Sequence, residues 1–292
     1  MQSIGVVGLG LMGSAIVKRL VDAGFDVIGY DVDRDKRARN ASATSAESIA
    51  AIGARCTTIV LAVFNTEQVE AVIEGPDGFL SSRAQSAPGM TFVCTSTCDP
   101  ERIAKLAQRI EARAGYVEMP VSGTSAQVAA GDGVGLVAGA RATVDALTPL
   151  LAAICPKREY LGAVGNGGRA KLAVNLVLGL NRGALAEGLV FAAKMGLEPV
   201  AFLDVLRNSA AYSQVMETKG PLMARGEFEK PSSRVDQSHK DFSLILESSQ
   251  SLGQQLPFAQ VYAELLRDCI GHGEAQWDNA AILAAIARRL TN

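Results

Sequence analysis

Lys171 and Asn175 stand four residues apart in a run of helical period, so one face of one helix carries an amine and an amide together. A lysine at the start of a largely apolar helix can give and take a proton when desolvation, or a cationic ring beside it, lowers its pKa. Asn175 can orient a hydroxyl or a carboxylate without competing for that proton. Spacing alone favours a plainer assignment, a solvated lysine and a packing amide. A second polar group, Ser122-Gly123-Thr124, follows an apolar run, where hydroxyls and backbone N–H groups form a cradle for a carboxylate. Ser96-Thr97 also follows such a run, and its hydroxyls can hold a ribose or a nicotinamide. Finally Gly8, Gly10 and Gly13, with Leu9, Leu11 and Met12 between them, are spaced G-x-G-x-x-G, a pattern that lets backbone approach phosphate.

Hydrophobic period gives the elements that must hold these groups. Ile4, Val6 and Val7 form an apolar strand into Gly8. A helix-period segment follows (Ile16, Leu20, Val21), and a second strand, Phe25 to Tyr30, ends on Asp31. In that strand–turn–helix–strand setting Gly8 permits the tight turn, Gly10 the approach of a pyrophosphate, and Gly13 close packing of helix on sheet. The unpaired N–H groups and dipole of the helix then face the phosphates. A carboxylate at Asp31 can accept from the adenine ribose hydroxyls and would repel a 2′-phosphate. NAD is therefore favoured, and the nearby Arg34 leaves NADP open.

Thr57–Phe64 reads as a strand whose end adds Val63, Phe64 and Asn65 to the cofactor side. Met90–Cys94, Tyr116–Met119 and Gly131–Ala138 read as further strands. Asp33–Arg39, Ser45–Ile52, Thr66–Ile73, Pro100–Ala114 and Ala142–Ile154 read as helices. This alternation predicts an α/β domain over residues 1–162, a Rossmann-type doubly wound parallel sheet.

From residue 163 the class changes. Gly168–Gly196 reads as one helix about 40 Å long at 1.5 Å per residue. Pro199–Asn208, Gln214–Gly220, Asp241–Leu252, Pro257–Gly271 and Ala280–Leu290 follow, giving an all-α domain over 163–292 joined by the long helix. Leu176, Val177, Leu180, Leu185, Leu189 and Val190 wrap more than one face of that helix, which must be covered on several sides. A homodimer or homotetramer through the C-terminal helices is expected. The most apolar stretch, Leu172–Leu180, is interrupted by Asn175 and Gly179 and is short for a bilayer.

Two domains fit within 292 residues, and 48% hydrophobic with 20% charged residues is ordinary for a globular chain. A net charge of −2 with dispersed Lys and Arg argues against a nucleic-acid surface or a polybasic membrane patch. Cys56, Cys94, Cys98, Cys155 and Cys269 lack metal-ligand spacing and read as reduced packing thiols, and no metal site is expected. The first strand begins too early for a cleavable signal, so a cytoplasmic location is expected. His239 and His272 read as structural or exposed, with Glu187 and Tyr212 as marginal cleft residues.

Five segments in order resemble the β-hydroxyacid dehydrogenases, the family of 3-hydroxyisobutyrate dehydrogenase. They are Gly8-Leu9-Gly10-Leu11-Met12-Gly13, Ser96-Thr97-Cys98-Asp99-Pro100, Pro120-Val121-Ser122-Gly123-Thr124, Lys171 with Asn175, and Lys240-Asp241. The resemblance implies that Lys171 is the general acid/base, that Ser122 and Gly123 bind the substrate carboxylate, and that Asn175 positions substrate. It further implies that Ser96 and Thr97 touch the cofactor and that Lys240 reaches its nicotinamide end. Thr124 replaces the usual second glycine, and Gln127 and Val128 replace a small pair, so the substrate loop is bulkier than the family pattern. The expected activity is NAD-dependent hydride transfer at the hydroxyl of a small 3-hydroxycarboxylic acid, or the reverse on a semialdehyde. Oxidation of a four-carbon, threonate-type sugar acid and reduction of a glyoxylate-type semialdehyde are alternatives. A non-catalytic NAD-binding module is the alternative of another class.

Overall fold

The computed structural model of the chain describes residues 3–81 and 89–289. It divides into two compact units, Met1–Lys171 and Leu172–Asn292. The first unit alternates strands and helices: β1 Ile4–Val7, α1 Leu11–Asp22, β2 Val27–Tyr30, α2 Arg34–Arg39, β3 Thr44–Ser45, α3 Ile49–Gly53, β4 Thr58–Leu61 and α4 Thr66–Glu74. Then come β5 Thr91–Cys94, α5 Pro100–Ile110, β6 Gly115–Glu118, β7 Val121–Ser122, α6 Ser125–Ala130, β8 Val134–Gly139, α7 Arg141–Ala146, α8 Thr148–Ile154 and β9 Lys157–Tyr160. The long helix α9, Asn166–Lys194, starts in this unit and ends in the other.

Strands β3-β2-β1-β4-β5-β6 are parallel, β8 is antiparallel to β6, and β7 and β9 pair with β8. Both faces of the sheet are apolar because successive strand side chains point to opposite sides. Val6, Val60, Val93 and Val117 enter one core with Ile16 and Leu20 of α1. Ile59, Leu61, Phe92 and Tyr116 enter the other with Ile52, Ile73 and Leu106 of α3, α4 and α5. Helix starts follow local capping chemistry: Asp33, Ser48, Asn65 and Asp99 each accept backbone N–H bonds at the head of α2 to α5.

Several boundaries differ from the sequence reading, for physical reasons. Ser45 pairs as β3 beside β2, so the helix read over Ser45–Ile52 begins only after its Ser48 cap. The helix read over Ala142–Ile154 is two, broken at Leu147 before Pro149 restarts it. The strand read from Gly131 begins at Val134, because Gly131 is the left-handed C-cap of α6. Helix α6 was legible only as loop, and β9 carries charged, largely exposed residues without apolar signal.

The second unit holds α10 Pro199–Arg207, α11 Val215–Thr218, α12 Gly220–Arg225, α13 Val235–Ser251, α14 Pro257–Gly271 and α15 Ile282–Ala287. Leu185 and Leu189 of α9, Phe242 and Ile245 of α13, and Tyr262 and Leu266 of α14 fill its core. A Cβ on Gly179 would stand 2.3 Å from the Phe242 ring, whose centroid lies 4.5 Å from that of Tyr262. Gly179 therefore lets two aromatic helices close on α9. Helix α13 starts at Val235 rather than Asp241, which puts His239 and Lys240 on the helix. Leu290, the end read for the last helix, lies outside the described residues.

The apolar stretch read as Leu172–Leu180 is part of a longer feature. By length and composition α9, with a mean hydropathy of 1.4 over 18 residues, is long and apolar enough to cross a membrane. Leu172, Leu185 and Leu189 nevertheless sit in the core of the second unit.

Candidate active site

Backbone contact builds the glycine loop. Gly8 takes φ +94°, and a Cβ there would stand 2.4 Å from the Ala62 carbonyl oxygen. A Cβ on Gly13 would lie 1.8 Å from the Gly8 oxygen, so α1 crosses the strand end with nothing between. At Gly10 no atom lies within 4 Å of that position. Helix α1 starts there with no side-chain cap and no acid in its first turn. Open space, orphan N–H groups and the positive end of a helix dipole fit a dinucleotide pyrophosphate. Around them Leu9 is buried, Met12 half-buried and Leu11 exposed.

Asp31 is buried, and its carboxylate braces this loop: Oδ2 accepts from the Leu9 N–H at 2.8 Å and Oδ1 from the Asp33 N–H at 2.9 Å. Lys36 Nζ lies 3.9 Å from Oδ1. Each carboxylate oxygen keeps a second lone pair for a ribose hydroxyl.

At the carboxyl ends of β4 and β5 the polar groups hold one another. Ser96 Oγ donates to the Val63 carbonyl at 2.8 Å, and Thr95 Oγ1, which the sequence reading passed over, donates to Leu61 at 2.8 Å. Asn65 accepts from the Gln68 N–H at 2.9 Å as the cap of α4, while Gln68 accepts from the Phe64 N–H at 2.8 Å. Thr97 is half-buried beside them.

Lys171 is the central finding. Its side chain is buried, and Nζ donates to the Val121 carbonyl oxygen at 2.7 Å. Val121 and Ser122 pair with β8, so the amine is held at the base of the Ser122-Gly123 segment. Gly123 follows at φ +140°, a conformation suited to glycine. Thr124 is committed elsewhere. Its hydroxyl accepts from the Gln127 N–H at 3.2 Å, and its own N–H donates to Gln127 Oε1 at 2.9 Å. This capping box starts α6 and explains why a residue other than glycine sits there.

Sequence reasoning missed Glu118. It ends β6, is buried, and accepts the Gly165 N–H on Oε2 at 2.5 Å and the Gly168 N–H on Oε1 at 3.2 Å. Burial pushes its carboxyl above the ordinary range, against the opposing pull of the Gly165, Gly168 and Gly167 N–H groups. The available signal was a lone acid within the apolar run Tyr116–Val121. These contacts also explain why the first unit runs to Lys171 rather than to residue 162: the first turns of α9 are bonded to β6 and β7.

In the second unit Asn175 Nδ2 donates to Asp241 Oδ2 at 2.7 Å, and Lys240 Nζ lies 2.9 Å from Asp241 Oδ1. Asp241 thus joins two residues read separately from the sequence. Arg182 donates to the Tyr262 hydroxyl at 2.6 Å. His239 is half-buried, and burial, then Arg267, lowers its imidazole pKa below the usual value. Glu187, Tyr212 and His272 are exposed, and all five cysteines are buried.

Two family models match the chain. The NAD binding domain of 6-phosphogluconate dehydrogenase matches residues 3–162, and the NAD-binding region of NADP-dependent 3-hydroxyisobutyrate dehydrogenase matches 165–286. The chain is 29% identical to an L-threonate dehydrogenase of Cupriavidus necator over 97% of its own length and 95% of the relative's. It is 29% identical to a 2-hydroxy-3-oxopropionate reductase of Escherichia coli over 98% and 97%. A solved 3-hydroxyisobutyrate dehydrogenase from Salmonella typhimurium superposes with a TM-score of 0.87 at 25% identity, covering 97% of this chain and 99% of that one. With a matching glycine loop, a buried lysine on the long helix and both family models in register over nearly every residue, the chain belongs to the β-hydroxyacid dehydrogenase family of NAD(P)-dependent oxidoreductases.

Proposed function

We propose that this protein oxidises the hydroxyl of a small 3-hydroxycarboxylic acid, or reduces the matching semialdehyde, with Lys171 as general acid/base. The observation that carries the reading is the buried amine 2.7 Å from the Val121 carbonyl, next to Ser122 and Gly123. A nicotinamide dinucleotide supplies the hydride acceptor or donor. Gly8, Leu9, Gly10, Leu11, Met12 and Gly13 would hold its pyrophosphate, Asp31 its adenine ribose, and the Val63–Asn65 and Ser96–Thr97 segments its middle. Lys240 would serve the nicotinamide end. The Ser122 hydroxyl and the Gly123 backbone would take the substrate carboxylate, with Thr124 shaping the loop through α6. Lys171 Nζ would accept the hydroxyl proton during oxidation and return it to the carbonyl oxygen during reduction. Asn175, one helical turn further along α9, would orient the same oxygen.

The carboxylate at Asp31 supports a preference for NAD over NADP. In the second unit Val177 and Phe191 of α9 are 59% and 64% exposed, which supports a homodimer or homotetramer through the helical part. Dissociation to monomers at micromolar concentration in sedimentation would refute that part.

The test is a substrate panel of 3-hydroxypropionate, 3-hydroxyisobutyrate, threonate, glyoxylate and succinic semialdehyde, followed through nicotinamide absorbance. Turnover of a 3-hydroxy acid or its semialdehyde is expected. Turnover confined to threonate or glyoxylate would transfer the assignment to that acid. Cofactor binding without turnover of any panel member would make the protein a binding module and overturn the reading.

A further inference from the structure

We propose that Glu118 is a positioning residue: by capping α9 from the end of β6, it fixes where the Lys171 amine stands. The inference rests on the reading of Lys171 for its functional meaning, though the mechanical claim is independent of it.

The first N–H groups of any helix lack intrahelical partners and need acceptors. At the head of α9 the Ala163 carbonyl accepts only the Asn166 N–H, at 3.2 Å. The other acceptor is a carboxylate 47 residues earlier than Gly165 and 50 earlier than Gly168. Oε2 takes the Gly165 N–H and Oε1 the Gly168 N–H, three residues apart, and the Gly167 N–H adds its pull, which restrains both the axial position and the rotation of the first turn. Lys171 follows Gly168 by three residues, and its Nζ bonds to Val121, three residues beyond Glu118. The β6–β7 segment and the head of α9 are thus tied at two rungs, one a carboxylate to backbone and the other a backbone carbonyl to amine.

The neighbouring glycines belong to the same arrangement. A Cβ on Gly167 would stand 3.1 Å from Glu118 Cβ and 2.9 Å from the Leu136 oxygen, and one on Gly168 would stand 3.2 Å from Oε1. The helix therefore rests directly against the acid. Neither oxygen can be replaced by solvent without opening this contact, because Glu118 is buried.

The experiment measures labelling of Lys171 by an amine-acylating reagent with mass-spectrometric readout, in wild type, Glu118→Gln and Glu118→Ala. Thiol titration of Cys56 and Cys155, both buried in the same unit, reports general loosening. Labelling of Lys171 should rise about tenfold in Glu118→Ala and less in Glu118→Gln, which keeps one acceptor oxygen, while both thiols stay protected. In the same variants kcat should fall and cofactor affinity should stay level. Labelling within twofold of wild type in both variants overturns the proposal. So does a parallel rise of lysine and thiol reactivity, which would mark a purely structural acid. Faster labelling with unchanged turnover supports the positioning role and refutes Lys171 as the acid/base, so the two readings fail separately.

Discussion

Among the described residues two lysines are buried, one in each unit, and their surroundings differ in kind. Lys171 is bonded to the Val121 carbonyl beside a glycine-bearing loop. Lys219 is bonded to both oxygens of Asp278 at 2.7 and 2.8 Å and to Ser232 at 3.0 Å. Burial pushes the Lys219 ammonium down to about 8 while Asp278 opposes it. The Asp278 carboxyl, which burial alone would raise, is held below its usual range by Lys219 and by the N–H groups of Ala280 and Ser232. An ammonium at about 8, beside a carboxyl held low, still forms an ion pair at neutral pH. Burial of a charged residue is therefore no marker of chemistry by itself. What distinguishes Lys171 is the company of strand ends, a cradle of small residues and a dinucleotide loop in its own unit.

Paired substitutions break or sharpen this contrast. Lys171→Met should lower kcat by about 10³-fold, within the range for loss of a general acid/base, with cofactor binding nearly unchanged and about 1–3 kcal/mol of stability lost through the unpaired Val121 carbonyl. Lys219→Met should leave the Asp278 carboxylate buried without its cation and cost about 3–5 kcal/mol of stability. Steady-state kinetics and urea unfolding followed by Trp277 fluorescence would measure both. If Lys219→Met loses turnover while keeping its unfolding midpoint, the two lysines are not divided as described.

The pH dependence of the second unit follows from the same pair. A carboxyl whose folded pKa is depressed contributes stability that is fully present above its unfolded value, 3.8 for Asp278, and lost as pH falls through the lower folded value. The stability difference between wild type and Asp278→Asn should therefore hold steady from neutral pH down to about 3.8, the unfolded value, and shrink below it. A difference independent of pH would show that the carboxylate charge is not what holds Ser232 and Lys219.

Legibility in the sequence divides along the same line. In the first unit the candidate residues sit at strand ends, where a parallel sheet puts short polar segments directly after apolar runs. Gly8 to Gly13, Asp31, Ser96 and Ser122 could thus be picked out as candidates by inspection. The partners of those groups were hidden wherever they are distant in sequence. Glu118 bonds to Gly165, and Lys219 to Asp278, across separations that no local pattern encodes. Thr124 was legible as a departure from the family pattern, but its reason, a cap shared with Gln127, needed the helix α6 that a six-residue segment barely signals.

Asp31 tests how far local reading reaches. Asp31→Ser removes both the loop brace to Leu9 and the charge that would repel a 2′-phosphate. The kcat/KM ratio of NAD to NADP should fall about tenfold, equivalent to about 1.4 kcal/mol. If both cofactors weaken equally, the carboxylate acts through the loop alone.

The smallest effect is expected at the Ser122–Thr124 loop. Gln127→Ala removes the acceptor for the Thr124 N–H but keeps the backbone N–H that Thr124 caps, so half of the box survives. Loss of a cap costs about 1 kcal/mol in general, and half a box should cost less. Stability of the first unit should then change little, while the Ser122–Thr124 segment loses one of its restraints. If this segment is the carboxylate cradle proposed above, the expected signature is a two- to threefold rise, on the order of 0.5 kcal/mol, in substrate KM at constant kcat, since an ordered cradle would favour ground state and transition state alike. A fall in kcat at constant KM would instead place the α6 cap in the alignment of Lys171, through the Val121 carbonyl that begins the same loop.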